Sequence, residues 1–184
     1  MLRRVLVGLV AIGVLASFMG MGGFSLFTAT TDNDANTFTS GSVDISTSPA
    51  TAFLTMSNMA PLDSVTAELI VTNDGTLQMR YAMTTATTDV DNLHLDDTLT
   101  LVIRELGTDC ATFDGNLVYG GTGETLAAGF IGDPTPGGDT GDRLLNAGAH
   151  EHLCFKVTLP DVTGPMSAET TATFTFDAEQ TTNN

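Results

Sequence analysis

Residues 65–72 read VTAELIVT: Val65, Ala67, Leu69 and Val71 alternate with Thr66, Glu68, Ile70 and Thr72. A period of two belongs to a β-strand, whose successive side chains point to opposite faces of the sheet. Four other stretches repeat it. Met79, Tyr81 and Met83 alternate with Gln78, Arg80 and Ala82, and Leu99, Leu101 and Ile103 with Thr100, Val102 and Arg104. Leu153, Phe155, Val157 and Leu159 alternate with Cys154, Lys156 and Thr158, and Ala172, Phe174 and Phe176 with Thr171, Thr173 and Thr175. These runs are rich in Thr and separated by Gly, Pro, Asn and Asp. They predict an all-β protein, a two-sheet antiparallel, jelly-roll-like sandwich with one buried face per sheet. Residues 42–47, 52–57 and 117–119 supply further short strands. Residues 89–97 fit one helical turn, and 122–130 a short helix capped by Thr122. Residues 132–142 are Gly- and Pro-rich enough to predict a long exposed loop.

What precedes the sandwich is a leader. Arg3 and Arg4 are followed by an almost wholly apolar run to Phe18, then by Gly20, Gly22, Gly23 and Ser25. That order is a secretory signal. Gly23-Phe24-Ser25 is a small-x-small cleavage site, which makes Leu26 the expected mature N-terminus. The uncharged run is also long enough to span a bilayer, about 20 residues, so a retained anchor is the competing reading. The expected organisation is residues 1–25 signal segment, 26–39 an N-terminal arm, and 40–184 the sandwich.

The 184-residue chain carries 22 acidic residues against 6 basic ones. Loss of the leader leaves four basic against 22 acidic, a net charge of −18. Such a body repels nucleic acid and anionic lipid, which argues against both as partners and leaves the leader as the one membrane-binding element.

Several stretches together resemble a known family. They are Gly22-Gly23, Phe27, Asn36-Thr37-Phe38-Thr39-Ser40-Gly41 and Val43-Asp44-Ile45-Ser46, then Asn58-Met59-Ala60-Pro61-Leu62-Asp63 and Asn73-Asp74-Gly75-Thr76-Leu77, and finally Phe174-Thr175-Phe176-Asp177-Ala178-Glu179-Gln180. Their order resembles the TasA/camelysin family of secreted surface proteins. The resemblance implies a jelly roll, processing by a dedicated signal peptidase, and assembly into extracellular biofilm-matrix fibres by donor-strand exchange. It also implies a metallopeptidase class for the camelysin branch. Leu62 stands where the family has Gly, so a different turn type is expected there.

Candidate chemistry is sparse. Cys110 and Cys154 are the only cysteines, and in an exported chain an even count suggests a disulfide, with two free thiols as the alternative. His150-Glu151-His152 is the one triplet that suggests zinc. On a strand the two imidazoles share a face and Glu151 points away, whereas the helical metallopeptidase motif places both ligands and the base together. The clusters Asp32/Asp34, Asp89/Asp91/Asp96/Asp97 and Asp133/Asp139/Asp142 offer oxygen ligands for calcium, but none keeps EF-hand spacing and all fall where Asp favours turns. The sequence therefore calls for no catalytic residue and no cofactor, with calcium or zinc as the ions its residue types allow.

Assembly is the functional expectation. An arm freed by cleavage, with Leu26, Phe27, Ala29 and Phe38 set among Thr28, Thr30 and Thr31, has the composition to add as a strand to a neighbour's sheet edge. Such a head-to-tail contact propagates as a filament, alone or with other matrix components. The alternatives are a cell-surface metallopeptidase and a monomeric adhesin.

Overall fold

The computed structural model describes residues 39–161, 165 and 167–182. The leader, the cleavage region Gly23, Ser25 and Leu26, the arm residues Leu26, Phe27, Ala29, Thr30 and Phe38, and the Asp32/Asp34 cluster lie outside the described residues. Met1–Thr39 and Ser40–Asn184 are separate units, and the second is the β-sandwich.

Among the described residues nine strands build two antiparallel sheets. In the first, β1 (Ile45–Ser48), β2 (Ser64–Asn73), β8 (His150–Thr158), β4 (Thr100–Glu105) and β5 (Leu117–Tyr119) lie side by side in that order. In the second, β3 (Met79–Thr87) is central. β9 (Ala172–Gln180) pairs along its whole length, while β7 (Arg143–Leu145) and β6 (Phe130–Ile131) pair in tandem with its two halves. This is the jelly-roll-like sandwich that the alternation predicts. The inward residues of each run are buried: Leu69, Val71, Leu101, Ile103, Leu153 and Phe155 from the first sheet, and Met79, Tyr81 and Met83 from the second. The sheets meet where the Phe155 and Phe174 rings pack edge to face, 5.1 Å apart. Such geometry is favoured by the ring quadrupoles.

Some expectations need correction. Residues 52–57 form no strand. Their apolar residues Phe53 and Leu54 are adjacent rather than alternating, and both pack on the core. The Phe53 ring touches both sheets, 5.2 Å from Phe155 and 5.7 Å from Phe174. The helix expected from Thr122 is a 3-10 turn at Leu126–Ala128, preceded by Thr125 without a side-chain cap; the Thr122 N–H and hydroxyl instead donate to the Glu124 carboxylate. The single helical turn expected within 89–97 is α1, Leu95–Thr98. Strands β6 and β7 have two and three residues, too short for an alternation to register in sequence. Among the described residues no helix is long and apolar enough to cross a membrane.

The turn at Ala60-Pro61-Leu62-Asp63 does not change type to suit Leu62. Asp63 N–H donates to the Ala60 carbonyl at 3.0 Å, and Leu62 takes φ 74°, the left-handed conformation that glycine adopts without strain. The Asp63 carboxylate accepts the Ala60 N–H at 2.8 Å, and Leu62 N–H donates to the Leu159 carbonyl at 2.7 Å. The turn is thus stitched to β8's end, and Leu62 accepts the strain.

Candidate functional site

The chain enters the sandwich through two of the stretches that carry the family resemblance, and they touch. Ser42 N–H donates to Thr76 Oγ1 at 2.9 Å. Thr76 N–H and Leu77 N–H both donate to the Ser42 carbonyl, and Asp74 N–H to that of Asp44. The turn that receives this segment is built on Asn73, fully buried between β2 and β3. Its Nδ2 donates to the Leu77 and Leu145 carbonyls at 2.9 and 3.0 Å, and its Oδ1 accepts the Gly75 N–H at 2.9 Å. A Cβ on Gly75 would lie 2.5 Å from the Ser42 carbonyl oxygen, so only glycine lets the two backbones approach this closely. The segment leading out to the arm is thereby held at the start of β3.

That same end of the second sheet is where β9 finishes, since Thr181 N–H donates to the Gln78 carbonyl at 3.2 Å. Among the described residues no strand pairs with the far edge of 172–179. The inward residues Ala172, Phe174, Phe176 and Ala178 pack against the core yet are only partly buried. Among the described residues, 172–179 is thus a sheet edge with half-covered aromatic rings.

Cys110 and Cys154 form a disulfide, with Cα atoms 5.2 Å apart across 44 positions. Cys154 sits on the outer face of β8, as its alternation requires, but is buried. The loop after β4, fastened by the bridge, covers it. Phe113 of that loop lies between two cations, 5.5 Å from both Arg104 Cζ and Lys156 Nζ. The carboxylates of Asp109 and Asp114 cap the loop's own amides at Thr112 and Thr108, and those bonds hold both acids below the usual carboxylate range.

The triplet His150-Glu151-His152 separates by strand geometry. The two imidazoles share the outer face with ring centroids 5.2 Å apart, and His152 Nδ1 meets Glu68 Oε1 at 2.5 Å. Glu151 turns inward. It accepts from the Tyr81 hydroxyl at 2.6 Å and is clamped by Arg143, which also donates to Glu105 at 2.6 Å. Burial, reinforced by Glu151, pushes the Tyr81 hydroxyl well above its ordinary value. The bond Arg143 donates to Glu151 raises the arginine's pKa, and Arg143 holds Glu105 below the ordinary glutamate value. This cluster is an ion network between β7, β8 and β4, committed to structure and remote from the histidine faces.

A different group converges at the β3–β4 connection. Asp89, His94 and Asp96 each offer a ligand atom, and these atoms lie within 4.8 Å of one another. The Asp89 Oδ1 accepts the Leu93 and His94 N–H groups at 3.0 and 3.1 Å, which coils the loop so that His94 adopts φ 56°. His94 Nδ1 then lies 3.0 Å from Asp89 Oδ2 and 3.8 Å from Asp97 Oδ2. Asp96 lies in the first turn of α1 and is buried; its Oδ2 accepts the Thr87 hydroxyl at 2.6 Å. Asp91 accepts Glu169 N–H at 2.8 Å, a bond that lowers its pKa and ties the loop to the segment leading into β9. The sequence lays Asp89, Asp96 and His94 in one stretch, but their convergence depends on left-handed backbone at Asn92 and His94, which the side-chain pattern does not reveal.

The third acidic cluster is a scaffold for its loop. Asp142 accepts the Asp133 and Asp139 N–H groups, and Glu179 of β9 accepts that of Gly137.

A family model described as camelysin metallo-endopeptidase matches residues 1–104. The match takes in β1 to β3, the Asp89/His94/Asp96 group and most of β4, and ends before Cys110 and the histidine triplet. No curated protein matches the chain.

Proposed function

The chain belongs to the camelysin metallo-endopeptidase family, and from that premise we propose that it is an exported structural protein that polymerises into extracellular matrix fibres. In this reading the leader (1–25) is removed by a dedicated signal peptidase. The arm (26–39) then leaves its own sandwich (40–184) and pairs with a neighbour. The observation that carries it is the open side of β9. An added strand would take up the backbone groups along 172–179 and cover the partly exposed Phe174 and Phe176 rings. Burying the remaining aromatic surface at about 25 cal/mol per Å² rewards association, and the ladder supplies direction. The arm's apolar Leu26, Phe27, Ala29 and Phe38, set among β-favouring Thr28, Thr30 and Thr31, suit that role. The anchoring of 41–44 on the 73–77 turn would fix the point from which the arm departs.

The family description itself favours a second reading, a cell-surface metallopeptidase. His150 and His152 would be its ligands, but Glu151 is engaged on the opposite face with Arg143 and Tyr81, away from where a general base would stand.

The test uses processed protein harvested from the cell surface. Electron microscopy across varied salt and pH should show filaments, and deletion of residues 26–34 should abolish them while the sandwich stays folded. Filaments that survive this deletion would refute the arm's role; monomers under every condition would refute polymerisation. Casein cleavage that is chelator-sensitive and lost in His152→Ala would favour the peptidase instead.

A further inference from the structure

We propose that Asp89, His94 and Asp96 bind a divalent transition-metal ion of the zinc class, which staples the β3–β4 connection to the end of β3. The inference stands independently of the fibre reading, because it concerns a loop that neither the arm nor the β9 edge requires.

An acidic loop alone would not carry this. What carries it is Asp96, which is 8% exposed and whose Oδ1 is buried with no hydrogen-bond partner. Buried polar atoms are nearly always satisfied, and a carboxylate oxygen left without a donor is costly. Asp96 Oδ2 is already committed to Thr87, so Asp96 is held in place while its other oxygen has lone pairs to give. The two neighbours that share its space are an imidazole and a second carboxylate, with ligand atoms within 4.8 Å. Among the described residues this is the group in which three such atoms converge.

The donor set selects the ion. Calcium takes six to eight oxygens and magnesium keeps most of its waters, whereas one imidazole with two carboxylates is a nitrogen–oxygen set suited to zinc and its neighbours. Two atoms bound to one tetrahedral zinc at about 2.0–2.1 Å stand about 3.3 Å apart. His94 Nδ1 and Asp89 Oδ2 are already 3.0 Å apart, so Asp96 and this pair need draw together by about 1.5 Å at most. Asp97, 3.8 Å from the same imidazole nitrogen, or a water molecule would complete four-coordination. Two carboxylates and a neutral imidazole also balance the ion's charge. The Asp89 bonds to two backbone amides already hold its carboxylate against the loop, the kind of orienting contact that supports metal ligands. The histidine pair on β8 lacks this convergence: among the described residues no third ligand atom joins it, and the inward carboxylate of Glu151 is unavailable to it.

The experiment uses the full, untagged chain in mild detergent, stripped with chelator and titrated with zinc by calorimetry, with thermal unfolding in parallel. Cobalt is substituted for zinc to read ligation from its visible absorption. One ion should bind per chain and raise the unfolding temperature. His94→Ala and Asp96→Asn should each weaken binding about tenfold or more and remove the cobalt bands. His94 is exposed, so its variant should keep the wild-type fold by circular dichroism even if Asp96→Asn disturbs it. The double variant His150→Ala/His152→Ala should bind as wild type. Three results would overturn the proposal: no zinc binding tighter than about 1 mM, unchanged binding in His94→Ala, or loss of binding in the β8 double variant.

Discussion

Leu62 provides a position where glycine should outperform alanine. Its φ of 74° places an L-residue in the left-handed region, which costs about 1–2 kcal/mol. The side chain is 67% exposed, so a third of a fully buried leucine's roughly 2 kcal/mol, about 0.7 kcal/mol, is lost in either substitution. Alanine keeps the strain and loses the contact, for a net cost near 0.7 kcal/mol. Glycine relieves the strain but adds about 0.5–1 kcal/mol of unfolded-chain entropy, leaving it close to wild type. Leu62→Gly should therefore exceed Leu62→Ala by roughly 0.5–1 kcal/mol, about 2–3 °C in Tm for a domain of this size. Urea unfolding with equal m-values measures the difference. The control is the same pair of substitutions at Thr173, exposed within β9, where the ordinary order with alanine ahead should hold. If alanine also beats glycine at position 62, the turn does not hold Leu62 in the left-handed region and the reasoning fails.

Removing the disulfide as Cys110→Ala/Cys154→Ala frees a loop of 44 positions and should lower stability by about 4 kcal/mol on the loop-entropy model; a loss under about 1 kcal/mol in urea unfolding would show that the capped loop holds itself. Arg143→Met should cost about 3 kcal/mol because it strands Glu151, whose side chain is 14% exposed, and adding Glu151→Gln should recover part of that; additive losses in the double-mutant cycle would contradict the coupling. Glu105, Asp91, Asp109 and Asp114 all have folded-state values below their ordinary ones. Their contribution is complete above the ordinary carboxylate range and drains away as pH falls through it, because the unfolded chain then binds more protons. The urea midpoint should thus drop between about pH 5 and pH 3, less steeply in Glu105→Gln, and a flat profile would refute the assignment.

Much of this fold could be read from period two alone, since a half-buried sheet imposes it on every strand long enough to show it. Residues 65–72 and 153–159 kept it faithfully, and β2 and β8 pair in that register over nine positions. It failed where tertiary contacts replaced pattern. Phe53 and Leu54 are an apolar pair packed on the core with no partner strand, and β6 and β7 are too short to alternate. Cys154 was legible as outward-facing, but its burial was not, because that depends on a loop forty-four positions earlier. The substitution of Leu for Gly at position 62 suggested a changed turn; instead the hydrogen bonds on either side of it kept the turn and placed the cost on the residue.

The candidate site shows the same division more sharply. The triplet His150-Glu151-His152 drew attention because metal-binding residue types were adjacent in sequence, yet adjacency on a strand is what separates them, with Glu151 serving Tyr81 and Arg143 inside. Asp89 and Asp96 fall in a run of acids that reads as turn-forming, and Asp89 is one: its carboxylate caps two amides, as short acidic loops do. What distinguishes the group is a property of one atom, the unpartnered Oδ1 of Asp96, which exists only once α1 packs against the 126–128 turn and the end of β3. Spacing in sequence can propose ligands, but the driving force for an ion is an unmet lone pair in a dry place, and that is created by packing. On this argument the ion's affinity should follow the burial of Asp96 rather than the number of acids nearby. Asp97→Asn, on the exposed side of the loop, should therefore weaken zinc binding far less than Asp96→Asn, although the two remove the same charge from neighbouring positions.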